Sequence, residues 1–161
     1  MAIAKTLPAI TRWILGLTDN GSAKEQLFGH LYRGMTVNEF RRLGVQYISS
    51  IEQSTNHYIM DRLRWHQSQG HRVIIVSASM PEWIAPWASR NGIDTVIGTE
   101  PESNAEGILT GRFATPNCYG VEKVRRVRAL ITDIGNRKVW AYGDSDGDNE
   151  MLALADYPKK I

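Results

Sequence analysis

The sequence runs to 161 residues, of which 42% are hydrophobic and 22% charged, with a net charge of +2. That is enough chain for one domain with a real core, or one core plus a small helical addition, and too little positive charge to argue for nucleic acid. A single cysteine, Cys118, excludes an internal disulfide framework and a multi-cysteine metal site.

No run of about 18 apolar residues is present to span a bilayer. Lys5 and Arg12 interrupt the apolar residues at the N-terminus, which lacks the continuous stretch of a secretion signal, so the cytoplasm is the expected compartment. Cys118 reads as a packed or loop thiol.

Taken in order, residues 8–17 predict a helix with Ile10, Trp13, Ile14 and Leu17 on one face and Pro8 in its first turn. Thr18-Asp-Asn-Gly21 breaks it, and Ser22 with Glu25 reads as a capping box opening a second helix to about Tyr32. Thr36 caps a third, with Val37, Phe40, Leu43, Tyr47, Ile48 and Ile51 at helical spacing, and residues 57–69 form a fourth that Gly70 ends. The first seventy residues are therefore expected to be helical throughout.

The pattern changes at Arg72. Val73-Ile-Ile-Val76 is a short β-branched run of the kind buried on both faces of a parallel sheet. A helix over about 81–91, a strand at 95–97, a β-arm over 107–113, a basic helix over 121–131, a strand over 138–142 and a last helix over 148–155 follow. Strands alternating with helices from residue 72 onward predict an α/β core whose parallel strands are joined by helical crossovers.

Three side chains then fall at equivalent places. Ser77 follows the first strand, Asp144 follows the third, and Lys123 opens the helix between them. Parallel strands present their carboxyl ends on one side of the sheet, so the three groups can converge there. A hydroxyl, an ammonium and a carboxylate together suit a phosphate ester bound with a hard divalent cation.

The stretches Val-Ile-Ile-Val-Ser77-Ala-Ser, Tyr-Gly-Val-Glu-Lys123-Val and Gly-Asp144-Ser-Asp-Gly-Asp148-Asn-Glu-Met-Leu resemble the second, third and fourth motifs of the haloacid dehalogenase (HAD) superfamily. Within it the sequence is most similar to subfamily IB, the phosphoserine phosphatase-like and phosphatidylglycerophosphate phosphatase-like hydrolases. Arg64-Trp-His-Gln-Ser-Gln-Gly-His-Arg-Val and Gly111-Arg through Asn117-Cys-Tyr-Gly carry the likeness beyond the motifs.

The resemblance implies a Rossmannoid three-layer α/β core over residues 71–161, with a parallel sheet, and a helical cap over residues 1–70 that covers the site and selects substrate. It implies a phosphoric monoester hydrolase acting on a phosphorylated small molecule or lipid head group through an aspartyl-phosphate. Ser77 would hydrogen-bond the phosphoryl group, with backbone N–H groups around Ala78 and Ser79 as further phosphate donors. Lys123 would neutralise charge on the phosphoryl group and the nucleophile. Asp144 would coordinate Mg²⁺, and Asp148 would assist the metal site or orient Lys123.

One departure from the family pattern is large. The Asp-x-Asp that supplies nucleophile and general acid should follow a β-run ahead of the cap, and no such segment stands there in this sequence. Thr18-Asp19-Asn20-Gly21-Ser22 is the nearest imitation, with Thr and Asn where the two acids belong, and reads as an interhelical turn. The expected sheet therefore lacks its first strand, and residues 156–161 are expected to stop short of a further one. Either a truncated reading frame or a natural short protein would account for this. The corresponding functional alternative is an inactive remnant that binds phosphate, metal or a partner.

Other readings are weaker. Asp144, Asp146 and Asp148 imitate positions 1, 3 and 5 of a calcium loop, but Asn149 and Ala155 stand where that loop needs Gly and Glu. Asp146 is expected to face solvent. His30, His57, His66 and His71 share no ligand spacing and read as structural, while Trp83 and Trp87 read as core. Arg125, Arg126 and Arg128 leave contact with anionic lipid open.

Overall fold

The structure is a computed structural model that describes residues 19–161. The helix expected over 8–17 lies outside the described residues. Three helices lead: α1 (Asn20–Tyr32), α2 (Val37–Ser54) and α3 (His57–Ser68). Then come β1 (Ile74–Val76), α4 (Pro81–Arg90), β2 (Thr95–Ile97), the arm strands β3 (Pro101–Ser103) and β4 (Leu109–Phe113), and α5 (Val121–Leu130). β5 (Trp140–Gly143), α6 (Asn149–Leu154) and β6 (Tyr157–Lys160) complete the chain.

Local chemistry explains the helix starts, with one correction. Thr36 caps α2 in a reciprocal capping box: its hydroxyl accepts from the Glu39 N–H at 3.1 Å, and the Glu39 carboxylate accepts from the Thr36 N–H at 2.9 Å. At α1 the expected Ser22–Glu25 box does not form. Asp19 is the cap instead, accepting from the backbone and hydroxyl of Ser22 at 3.0 and 2.5 Å. Glu25 is spent on a tertiary bond, accepting from the Phe113 N–H at 2.7 Å and so tying α1 to the arm.

β1 and β2 pair in parallel, Ile74 opposite Thr95 and Val76 opposite Ile97, with α4 as the crossover. β3 and β4 form the expected antiparallel arm. The tail departs from expectation, because Tyr157–Lys160 is itself a strand, parallel to β5 in register from Trp140↔Tyr157 to Gly143↔Lys160. Its Tyr-Pro-Lys-Lys sequence hides this: Pro and Lys suit an exposed edge, not an apolar run. The stacked rings of Trp140 and Tyr157, 4.7 Å apart and 13° from coplanar, fix the pairing. Among the described residues the strands form three separate two-stranded ladders, so β1 and β5 are each paired along one edge.

Two apolar clusters hold the elements together. Phe28, Phe40, Met80 and Leu109 form the first, with Tyr32, Trp83 and Phe113 packed against them. It joins α1 and α2 to α4 and the arm. Leu63, Ala88 and Ile93 form the second, with Ile75, Trp87 and Val96 alongside, and it joins α3 to α4 and the β1–β2 ladder. Both clusters draw on residues from either side of residue 70.

Histidines that are scattered in sequence meet in space. His66 Nδ1 lies 2.9 Å from His71 Nδ1, and His66 Nε2 lies 2.9 Å from the Tyr142 hydroxyl, bridging α3 to β5. Burial, with Arg62 and His71 alongside, holds His66 below the ordinary histidine value.

Candidate active site

β1 delivers Ser77 and β5 delivers Asp144 at their carboxyl ends, and α5 begins beside them. Lys123, in the first turn of α5, turns inward and is almost fully buried, its ammonium donating to the Val76 carbonyl at 3.1 Å. That contact pins the helix to the end of β1, one residue before Ser77.

The Lys123 charge is matched by Asp148. The ammonium is 2.5 Å from Asp148 Oδ1, and each side chain is only 7% exposed. The other carboxylate oxygen accepts from the Ser145 N–H at 3.1 Å and its hydroxyl at 2.7 Å. Burial alone would raise the Asp148 carboxyl, but the bonds from Lys123 and Ser145 outweigh it and hold the group below the usual carboxylate range. Gly143 makes room for this closed loop, since a Cβ there would lie 2.5 Å from that of Asp148.

The Ser77 loop is fixed as tightly. The Ser77 N–H donates to the Ile97 carbonyl at 2.9 Å, and the Ser79 N–H donates to Ser77 Oγ at 3.1 Å. The Ala78 carbonyl accepts from the buried Thr99 hydroxyl at 2.7 Å and from the Lys24 ammonium of α1. Lys24 also donates to Asn117 Oδ1 at 3.1 Å, and burial pulls it below the ordinary lysine value.

All six residues singled out in the sequence line one open cavity of about 520 Å³: Ser77, Ala78, Ser79, Lys123, Asp144 and Asp148. Asp144 is exposed on its wall. Asp146 points elsewhere, paired with Lys160 at 3.0 Å at the surface. Among the described residues no three His, Cys, Asp or Glu side chains gather to hold a metal ion.

Sequence reasoning missed Lys24, Asn117 and Tyr142 on the same wall, and Thr99 behind it. Thr99 was within reach, because it follows β2 closely as Ser77 follows β1. Lys24 carried no signal, being one polar residue on a helix seventy-five positions from Thr99. The arginine patch divides on inspection. Arg126 is inward and bonded to Glu122 at 2.8 Å, to the Pro116 carbonyl at 2.8 Å and to the Gly98 carbonyl, so it serves structure and is not free for lipid. Arg125 pairs with Glu122 at 2.6 Å, and Arg128 is exposed.

Together, the fold and these residues define an α/β protein with a lysine-centred polar cleft at the carboxyl ends of its parallel strands. A profile of haloacid dehalogenase-like hydrolases matches residues 2–153, and the chain belongs to that family.

Its relatives include CicA of Caulobacter vibrioides, 39% identical over 94 residues that make up 58% of this chain and 41% of CicA. Phosphoserine phosphatase SerB1 of Mycobacterium tuberculosis is 35% identical over 91 residues, 55% of this chain and 29% of SerB1. The chain thus spans less than half the length of these curated relatives.

Among solved structures, a protein of unknown function from Bordetella pertussis matches with a TM-score of 0.78 at 24% identity, over 91% of this chain and 67% of that one. A probable phosphoserine phosphatase from Vibrio cholerae matches with a TM-score of 0.70 at 16% identity, over 94% and 45%. These structural likenesses establish the shared fold.

Proposed function

We propose that this cleft is the phosphate-binding half of a Mg²⁺-dependent phosphomonoesterase of the IB type, acting on a phosphorylated small molecule or lipid head group through an aspartyl-phosphate. The observation that carries the reading is Lys123, buried against the end of β1 and held by Asp148 beside the Ser77 loop. Burying an ammonium is costly and is tolerated where it is paired. It lines the same cavity as Ser77, which supports a role in meeting the charge of a bound phosphoryl group.

In this reading the Ser77 hydroxyl, whose oxygen already accepts from Ser79, donates its proton to a phosphoryl oxygen. Lys123 offsets the charge that develops on transfer. Both oxygens of Asp148 are engaged, which supports its role in orienting Lys123 over direct ligation of a metal. Asp144 then offers the open carboxylate of the cleft. Mg²⁺ commonly takes one or two carboxylates and completes its shell with phosphate oxygens and water, so this donor set is compatible though sparse. When bound, the ion would neutralise phosphoryl charge. Residues 1–70 are proposed as the cap, with α1 and its Lys24 on the cavity wall.

A second reading, an inactive phosphate- or metal-binding remnant, is favoured by Asp19, whose carboxylate caps α1 and so is not free to serve as a nucleophile. Hydrolysis of a generic aryl phosphate by this chain with Mg²⁺ separates the two. Turnover lost in Lys123→Ala and Asp144→Asn but retained in Asp19→Asn supports the phosphatase. Phosphate binding without turnover supports the remnant. Turnover indifferent to Lys123 and Asp144 refutes the site.

A further inference from the structure

Lys24 belongs to none of the motifs, yet its ammonium reaches from α1 into the Ser77 loop. Among the described residues its bonded partners are all neutral: the Ala78 carbonyl, Thr99 Oγ1 at 3.5 Å and Asn117 Oδ1 at 3.1 Å. A half-buried ammonium with no carboxylate bonded to it among those residues gives up hydration without the compensation Lys123 has.

The accepting carbonyl matters more than the charge. Ala78 C=O and Ser79 N–H are the two ends of a single peptide group. Lys24 and Thr99 donate to the oxygen, and the N–H donates to Ser77 Oγ. Drawing electron density toward the oxygen makes the N–H a stronger donor, since hydrogen bonds in a chain polarise one another. The stronger the bond into Ser77 Oγ, the more firmly the hydroxyl is left with its own proton to give.

We propose that Lys24 is a positioning residue: through the Ala78–Ser79 peptide it fixes the Ser77 hydroxyl as a phosphate donor, and so couples α1 to the phosphate loop. This rests on the phosphate-binding reading of the cleft. The bonds Lys24 makes go to the Ala78 carbonyl and to Thr99 and Asn117 beside the loop, which is why its role is assigned through the peptide and not by direct contact with the anion. Thr99 secures the same oxygen from behind: its Oγ1 lies 2.7 Å from the Ala78 carbonyl oxygen and 3.2 Å from Asn117 Oδ1, and accepts from the Cys118 N–H at 3.0 Å.

The test has two arms. In the free protein, amide NMR of Lys24→Met and Lys24→Leu is compared with the parent. Both changes should shift the Ser79 amide proton upfield and speed its exchange, while amides of the β5–β6 ladder stay put. Two variants, neither with a side-chain donor, are used so that the leucine serves if the methionine does not fold.

An unmoved Ser79 amide in a folded variant overturns the proposal, whether or not phosphate binds. In the second arm, inorganic phosphate is titrated into the parent, Lys24→Met, Ser77→Ala and the double variant. Lys24→Met should weaken binding by roughly 3- to 10-fold, the worth of one hydrogen bond, and by less than about 2-fold once Ser77 is Ala. Equal losses in both backgrounds would mean Lys24 acts on the anion directly and would overturn the relay. Failure of the parent to bind phosphate refutes the cleft's function, and with it the relay's purpose, while the amide arm still decides the linkage itself.

Discussion

Replacing Asp148 by Asn removes a charge and keeps the shape of the side chain. The Lys123 ammonium and the Asp148 carboxylate are 2.5 Å apart with 7% of either side chain exposed. At an effective dielectric constant of about 20, the gross attraction at that separation is roughly 6–7 kcal/mol. Removing both ions from water costs several kcal/mol each, so the intact pair adds little net stability. Removing one partner strands the other, and that costs about 3–5 kcal/mol.

Asn still offers Lys123 an acceptor, which sets the expected loss near the lower end, about 3 kcal/mol. Urea denaturation followed by circular dichroism reads it as a midpoint lowered by about 1–2 M at unchanged slope. Lys123→Met removes the stranded charge. The double variant should therefore lose at least about 2 kcal/mol less than the two single losses summed. Additivity within about 0.5 kcal/mol would refute the pairing as an energetic unit.

Two further outcomes follow from other contacts. The Glu122 carboxyl is pulled down to about 2 by hydrogen bonds from Arg125 and Arg126 that overcome burial. Its folded value lies below the ordinary 4.5, so its stabilisation is complete above that pH and fades as pH falls toward 2. Glu122→Gln should flatten the acid limb of the stability profile between about pH 5 and 2, by on the order of 1–2 kcal/mol once solvent around Arg125 is allowed for. Equal acid limbs in both proteins would refute that assignment. Gly44 of α2 faces α4 so closely that a Cβ would lie 2.2 Å from the Glu82 carbonyl oxygen. Gly44→Ala should cost about 1–3 kcal/mol by thermal or urea unfolding, and a neutral result would mean the two helices can slide apart freely.

Much of the fold was legible because its signals are local. Thr36 and Glu39 stand three apart and cap α2 as their spacing requires. The apolar runs before Ser77 and Asp144 are strands because β-branched and aromatic residues there form a short continuous apolar run bounded by polar residues and glycine. Where long-range partners competed, the local signal lost. Glu25 had the right spacing for a capping box, yet the Phe113 N–H claims it. Tyr157–Lys160 reads as a polar tail, yet it pairs because β5 offers a ladder and Trp140 a ring to stack upon.

The sequence alone determined the chemistry available at the strand ends: a hydroxyl at 77, an ammonium at 123, carboxylates at 144 and 148. Their order and spacing follow the chain, and the carboxyl-edge rule brings them to one side. Which of them are spent on each other is a matter of distance, and only the tertiary structure decides it. Asp148 is bound to Lys123 and Ser145 while Asp144 stays open on the cleft wall. Lys24 joins them from an element whose own sequence gives no reason to be there. Local propensity places a side chain on its element; packing alone brings two elements within hydrogen-bonding range.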